Sequence, residues 1–149
     1  MNEMDRRMFL SAGIATGLVG LTATAAAAEL TAAEKMNMQI VNDFCAAWPS
    51  HDLDKLVGFF ADNGAYRMTE TMETAKGRDA VTARIKTILN QVVRFEVLDT
   101  FARGPMVINE RIDRFSGGTL RSWHGVGVFF LKDGKIVEWY DYTIAMERA

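Results

Sequence analysis

A chain of 149 residues that is 49% hydrophobic and 24% charged, with a net charge of −2, has the composition of one globular domain. That excludes a disordered tail, a collagen-like repeat and a disulfide scaffold. The near-neutral balance also argues against nucleic acid as a partner, because phosphate backbones call for a basic footprint. Cys45 is the single cysteine and has no internal disulfide partner. His51 and His124, with no H-E-x-x-H or C-x-x-C pair, offer no zinc pattern.

Residues 1–28 differ from the rest. Asp5-Arg6-Arg7-Met8-Phe9-Leu10 precedes an uncharged stretch, residues 11–28, rich in Ala, Gly and Thr and ending in Ala26-Ala27-Ala28. A charged start, a mildly apolar run and a small-residue cleavage site read as a twin-arginine export signal. The expectation is cleavage near Ala28, a periplasmic protein, and only transient membrane contact during export. The alternative is an uncleaved anchor. Residues 29–149 are expected to form a single domain, since about 120 residues can bury one core without a covalent staple.

Thr31-x-x-Glu34 is a capping box, and behind it Met36, Ile40, Val41, Phe44 and Cys45 share one helical face that ends near Trp48-Pro49. Ser50 or Asp52 caps a short second helix carrying Leu53, Leu56, Val57 and Phe60. Asp62-Asn63-Gly64 reads as a turn and residues 65–69 as a short strand. Gly77-Arg78-Asp79 opens a third helix with Val81, Ile85, Ile88 and Leu89 inward. The remainder reads as β: residues 92–102, a break at Gly104-Pro105, residues 106–116, Gly117-Gly118, residues 119–132, the hairpin signal Asp133-Gly134, and residues 135–146. Helices followed by a run of strands predict an α+β fold. The expected shape is a curved antiparallel sheet forming a cone closed by about three N-terminal helices.

Strand pairing then places side chains on faces. Closing the last hairpin on Asp133-Gly134 sets Val128 against Trp139, Val126 against Asp141 and His124 against Thr143. Closing the previous one on Gly117-Gly118 sets Asp113 against Ser122, Arg111 against His124 and Asn109 against Val126. Opposed residues share a face, as do residues two apart. One face therefore carries Asn109, Arg111, Asp113, Ser122, His124, Asp141 and Thr143, and continues through Val107, Val126, Val128, Phe130, Val137 and Trp139. Its apolar end implies that the helices cover it. Its polar end, two carboxylates with an arginine between them, then reads as a pocket, because burying a carboxylate without partners is costly.

At these residues the chain resembles a known family. Asn109-Glu110-Arg111-Ile112-Asp113, Gly127-Val128-Phe129 and Asp133-Gly134-Lys135-Ile136, followed by Trp139-Tyr140-Asp141-Tyr142, are similar to the limonene-1,2-epoxide hydrolases. Phe59-Phe60-Ala61-Asp62, Tyr66 and Gly77-Arg78-Asp79-Ala80-Val81 fit the same pattern, over about residues 36–146. Those enzymes share the cone-shaped fold of nuclear transport factor 2-like proteins with ketosteroid isomerases and polyketide cyclases. The resemblance implies a catalytic group of Asp113, Arg111 and Asp141, with Asp141 as base and Asp113 as acid, and Tyr66 as a holder of the attacking water. The family's second water holder, an asparagine two residues after that tyrosine, is replaced by Met68, and Asn109 is the candidate substitute.

Two carboxylates whose pKa values are pushed apart can open an epoxide, one taking a proton from water and the other protonating the departing oxygen. The expectation is a hydrolase that needs no cofactor or metal and converts a small apolar epoxide to a diol. Met68, His124, Trp139, Val126, Val128 and Phe130 would line its pocket. The alternatives are an isomerase or cyclase on the same scaffold, or non-catalytic binding of a small apolar ligand in the periplasm. Cys45 reads as core filler and His51 as a solvated loop residue. The resemblance also implies a homodimer, formed through the outer sheet face with Tyr140 and Tyr142.

Overall fold

The structure is a computed structural model that describes residues 29–146. The expected export signal and its cleavage site lie outside the described residues. Helix α1 spans Ala32–Ala47 and starts with the capping box read from the sequence: the Thr31 hydroxyl accepts from the Glu34 amide at 3.2 Å, and the Glu34 carboxylate accepts from the Thr31 amide at 2.8 Å. A 3-10 turn, Trp48–Ser50, follows, and Asp52 caps α2, Leu53–Val57. Then come β1 (Phe60–Arg67), β2 (Ala75–Lys76), α3 (Arg78–Leu89), β3 (Val92–Arg103), β4 (Met106–Phe115), β5 (Trp123–Lys132) and β6 (Lys135–Met146).

The six strands form one mixed sheet in the order β2-β1-β6-β5-β4-β3. All neighbours pair antiparallel except β1 and β6, which are parallel. No hairpin joins these two strands, because β1 enters the sheet from the helical half of the chain. Parallel partners need a crossover rather than a tight turn, and this one comes from the long β2–α3–β3–β4–β5 excursion. The residues expected to turn, Asp62-Asn63-Gly64, instead sit within β1. The pairing jumps there from Phe60 opposite Ile136 to Ala65 opposite Glu138, so the Asn-Gly pair makes a bulge instead of a chain reversal. Arg78 at the start of α3 holds it, with Nε 2.7 Å from Asp62 Oδ1, and the Gly77 amide donates to the Gly64 carbonyl at 2.8 Å.

The register of β5 corrects the sequence reading. Gly117-Gly118 does not close a two-residue hairpin. Residues 116–122 form a loop, because the Gln91 side chain takes the amides of Thr119 and Leu120 out of the ladder. Arg111 consequently faces Gly125, Asn109 faces Gly127 and Asp113 faces Trp123. In the last hairpin Lys132 faces Lys135 as expected, but Val137 is an extra residue in β6, so Phe129 faces Trp139 and Gly127 faces Asp141. The two one-residue shifts cancel between β4 and β6, and Asn109, Gly127 and Asp141 lie in one row. Only β5 is turned over. His124, Val126, Val128 and Phe130 point to the outer face, and Trp123, Gly125, Gly127, Phe129 and Leu131 point inward.

The concave face and the helices share one core. Phe44 of α1 meets Trp48, Phe60, Phe129 and Trp139 edge-on, with centroids 5.1–6.1 Å apart. Val41, Trp48, Leu56, Val81, Ile85 and Ile136 complete it. This apolar floor fixes where the polar end of the same face must lie.

Candidate active site

Alternation along β4 brings Val107, Asn109, Arg111 and Asp113 to the concave side, and β6 adds Trp139 and Asp141. Burial there is nearly complete: Arg111 and Asp141 are 1% exposed and Asp113 is 3% exposed. Arg111 bridges the two carboxylates. Its Nε donates to Asp113 Oδ1 at 2.8 Å and its Nη2 to Asp141 Oδ1 at 2.7 Å, with a longer 3.4 Å contact to Asp113 Oδ2. Trp139 Nε1 donates to the same Asp141 Oδ1 at 2.6 Å. Both donors therefore fall on one oxygen, and among the described residues no donor reaches Asp141 Oδ2.

The guanidinium lies between aromatic faces, 4.8 Å from the Phe95 centroid and 5.5 Å from that of Trp139. Such faces stabilise a cation whose water has been removed. Gly127 makes room for it. A Cβ there would overlap Arg111 Nη1 and would stand 2.6 Å from the Phe129 ring and 3.1 Å from Asp141 Oδ1. Gly127→Ala is accordingly expected to destabilise the fold by about 1–3 kcal/mol, as overpacking of a filled interior does. Urea unfolding would check it, and an unchanged midpoint would show that the guanidinium has slack.

The electrostatics follow from burial. Loss of water pushes the Asp141 carboxyl up to about 7 against the pull of Arg111, and the negative charge of Asp113 adds to the rise. Burial raises Asp113 too, with Arg111 opposing. For Arg111 burial disfavours the charge, but the two carboxylates more than offset it and hold the guanidinium protonated. One cation between two carboxylates is neutral overall only when one carboxyl keeps its proton. Burial thus works against full ionisation of the two carboxyls, and Arg111 works for it.

Tyr66 reaches the site from β1. Its ring stacks on Trp139 with centroids 3.9 Å apart, which is a consequence of the parallel β1–β6 pairing. Burial, and then the charge of Asp141, push its phenol well above the usual range, so it is a neutral donor. Asn109 faces the same side, but its bonds lead elsewhere. Its Oδ1 accepts from Cys45 Sγ at 3.5 Å, and its Nδ2 donates to Thr100 Oγ1, which donates in turn to Asn42 at 2.7 Å. These bonds turn the amide toward α1 and β3. Cys45 is buried as expected of core filler, and burial pushes its thiol up to about 12.

One residue pair further along the same strands, Met68, Phe115, Trp123 and Thr143 line a cavity of about 90 Å³ with Thr69, Leu120, Arg121 and Met146. Phe115, Trp123 and Thr143 lie two positions from Asp113, Gly125 and Asp141 on β4, β5 and β6, and Met68 lies two positions after Tyr66, just past the end of β1, so the cavity is the next layer of the concave face.

The structure thus brings Arg111, Asp113, Asp141, Tyr66 and Trp139 together, with Met68 in the adjoining wall. It does not bring His124, Val126, Val128 or Phe130 there. His124 Nε2 lies 2.7 Å from Glu110 Oε1 on the outer face, and the Ser122 hydroxyl accepts the Phe115 amide at 3.1 Å in the loop. Sequence reasoning gave no role to Gly127, Phe95 or Thr100. A glycine inside a strand signals a close approach, and the Gly125-x-Gly127 spacing could have marked the place of the guanidinium.

The helices and curved sheet form an α+β cone with a buried carboxylate–arginine–carboxylate bridge at the polar end of its concave face. The chain belongs to the SnoaL-like domain family, which matches residues 41–139. It is similar in structure to an LEH-like epoxide hydrolase from M. tuberculosis, with a TM-score of 0.65 and 23% identity over 74% of this chain and 84% of that one. It is also similar to SalBIII, an epoxide hydrolase/cyclase-like enzyme of pyran ring formation in the polyether salinomycin, with a TM-score of 0.69 and 20% identity over 74% and 92%. A de novo designed protein with a curved β-sheet matches at a TM-score of 0.62 and 16% identity over 73% and 85%. A designed chain with the same shape underlines that fold alone carries no activity, so function must be argued from the site.

Proposed function

We propose that this protein opens the ring of a small apolar epoxide by acid–base chemistry, with water as the nucleophile. The observation that carries the reading is the Arg111 bridge between two buried carboxylates, with both donors to Asp141 on Oδ1 and none among the described residues on Oδ2. Asp141 Oδ2 takes a proton from water as the new C–O bond forms. Turnover starts from the form of the pair that carries its proton on Asp113, with Asp141, the carboxyl that burial raises to about 7, ionised; the C–O bond of the ring breaks and its oxygen takes the Asp113 proton. Water and epoxide give a vicinal diol, and the proton returns from Asp141 to Asp113 before the next turnover. Arg111 holds both carboxylates in place, and the Tyr66 hydroxyl orients the attacking oxygen. Each proton transfer is worth roughly 10²–10⁴ in rate.

A second reading has one observation in its favour. A water is held well by about three hydrogen bonds, whereas Met68 offers only a thioether, and Asn109 is bonded toward Cys45 and Thr100. A hydroxyl carried by the substrate itself needs less orienting, because its tether supplies the effective concentration. The same two carboxylates would then close a cyclic ether.

One experiment separates the readings: purified protein with simple epoxides and with hydroxy-epoxides in ¹⁸O-labelled water. A diol carrying one ¹⁸O supports hydrolysis. An unlabelled cyclic ether supports ring closure. Turnover of neither class sinks both.

A further inference from the structure

The carboxylates of the site are buried, and the cavity one layer along the same strands has a wall of two kinds. Most of that wall is strand. Phe115, Trp123, Thr143 and Met146 belong to β4, β5 and β6, and Met68 and Thr69 follow directly from β1, where the next residue, Glu70, accepts the Thr143 amide at 2.6 Å. The remaining wall is the loop of residues 116–122, which presents Leu120 and Arg121 to the cavity and packs Leu120 against the core. Its ends are fixed. The Ser116 amide donates to the Gln91 carbonyl at 2.9 Å, and the Phe115 amide to the Ser122 hydroxyl at 3.1 Å.

The middle of the loop hangs on one atom. Gln91 Oε1 accepts the amides of Thr119 and Leu120 at 2.9 and 3.0 Å. The backbone crosses so close to this side chain that a Cβ on Gly118 would overlap it, and Gly117 beside it has φ +76°. Two adjacent glycines next to a two-amide anchor make a hinge and its catch. We infer that residues 116–122 are a lid over the site and that Gln91 is its latch: Leu120 swings out when the Gln91 bonds open, admitting an apolar ligand past Met68 and Trp123. The inference takes from the proposed function only that a ligand must reach Asp113 and Asp141, and its test needs no turnover.

The latch uses an acceptor oxygen, so Gln91→Glu keeps it and Gln91→Leu removes it. Two readouts apply to each protein: native-state trypsin cleavage after Arg121, mapped by mass, and acrylamide quenching of Trp123 fluorescence, taken as the difference from the matching Trp123→Phe protein. Gln91→Leu is expected to speed cleavage at Arg121 about tenfold, the scale of losing two ordinary hydrogen bonds, and to raise Trp123 quenching at least twofold. Gln91→Glu is expected to stay within twofold of wild type in both. The lid is overturned if Gln91→Leu leaves either readout unchanged, if Gln91→Glu opens as far as Gln91→Leu, or if cleavage spreads across the chain instead of concentrating at Arg121, since that pattern reports general unfolding. An epoxide assay that fails while these results hold would count against the proposed function and not against the lid.

Discussion

Asp141→Asn is expected to lower kcat on any epoxide the protein turns over by about 10²–10⁴-fold, the usual worth of one positioned proton transfer. The amide keeps the shape of the carboxyl and still accepts from Arg111 and Trp139, which now meet on Asp141 Oδ1. What it loses is the basic oxygen, Oδ2. Asp113→Asn should cost a similar factor by removing the acid, and the double variant should lose little more than either single one, because the two groups act as a unit through one shared proton. In the unmodified protein the rate should pass through a maximum where the pair holds that single proton and fall on both sides. Those limbs belong to the pair rather than to either residue. Steady-state rates from pH 5 to 9 would check this, and an Asp141→Asn protein with wild-type kcat would remove Asp141 from the chemistry.

Arg111→Met should be the most damaging single change to stability, with an expected loss of about 3–5 kcal/mol near pH 8, because it strands two buried carboxylates without their cation. The sign of its pH dependence follows from protonation. At pH 8 both carboxyls are pressed to ionise in a space that has lost its positive charge. Near pH 4 both can hold protons in the folded state, so the loss should shrink. In the wild type burial raises the Asp141 carboxyl to about 7, above its unfolded value near 3.9, and raises Asp113 as well, so the titration is that of the pair. The folded state therefore binds that proton more tightly. This contribution to stability is complete below about pH 4 and is lost as the pH rises through about 7. Asp141→Asn should flatten the dependence across that window. Urea unfolding of the three proteins at pH 4 and pH 8 is the measurement, and an Arg111→Met penalty equal at both values would contradict the buried-pair account.

The polar triad owes its legibility to short-range regularities. Residues two apart on a strand share a face whatever the partner strand is, so Arg111 and Asp113 were certain to point the same way, as were Trp139 and Asp141. The capping box at Thr31 and Glu34 and the tight turn at Asp133-Gly134 are likewise local: each is decided by which side chains and φ values a few neighbouring residues allow. The resemblance that groups Arg111, Asp113 and Asp141 was carried by these same segments.

Offsets between strands are a different kind of information. A period of two tells which residues share a face but not which residue of the next strand stands opposite, and a shift of one turns a whole strand over. For β5 that choice was made by Gln91, a residue 28 positions before Thr119, whose side chain took two amides that the Gly117-Gly118 pattern had assigned to a ladder. His124, Val126, Val128 and Phe130 went outward as a result, and Gly127 came in beneath the guanidinium. The extra residue at Val137 restored the alignment of Asn109 with Asp141, which no local pattern shows. Tyr66 came to Trp139 only through a parallel pairing between distant segments, and Cys45 to Asn109 only through the packing of α1 on the sheet. Sequence by itself determined the main helices, the long strands after α3 and the faces that Arg111 shares with Asp113 and Trp139 with Asp141. The tertiary structure decided what surrounds these residues, because burial, charge balance and the direction of each amide depend on residues that meet only when the sheet has formed.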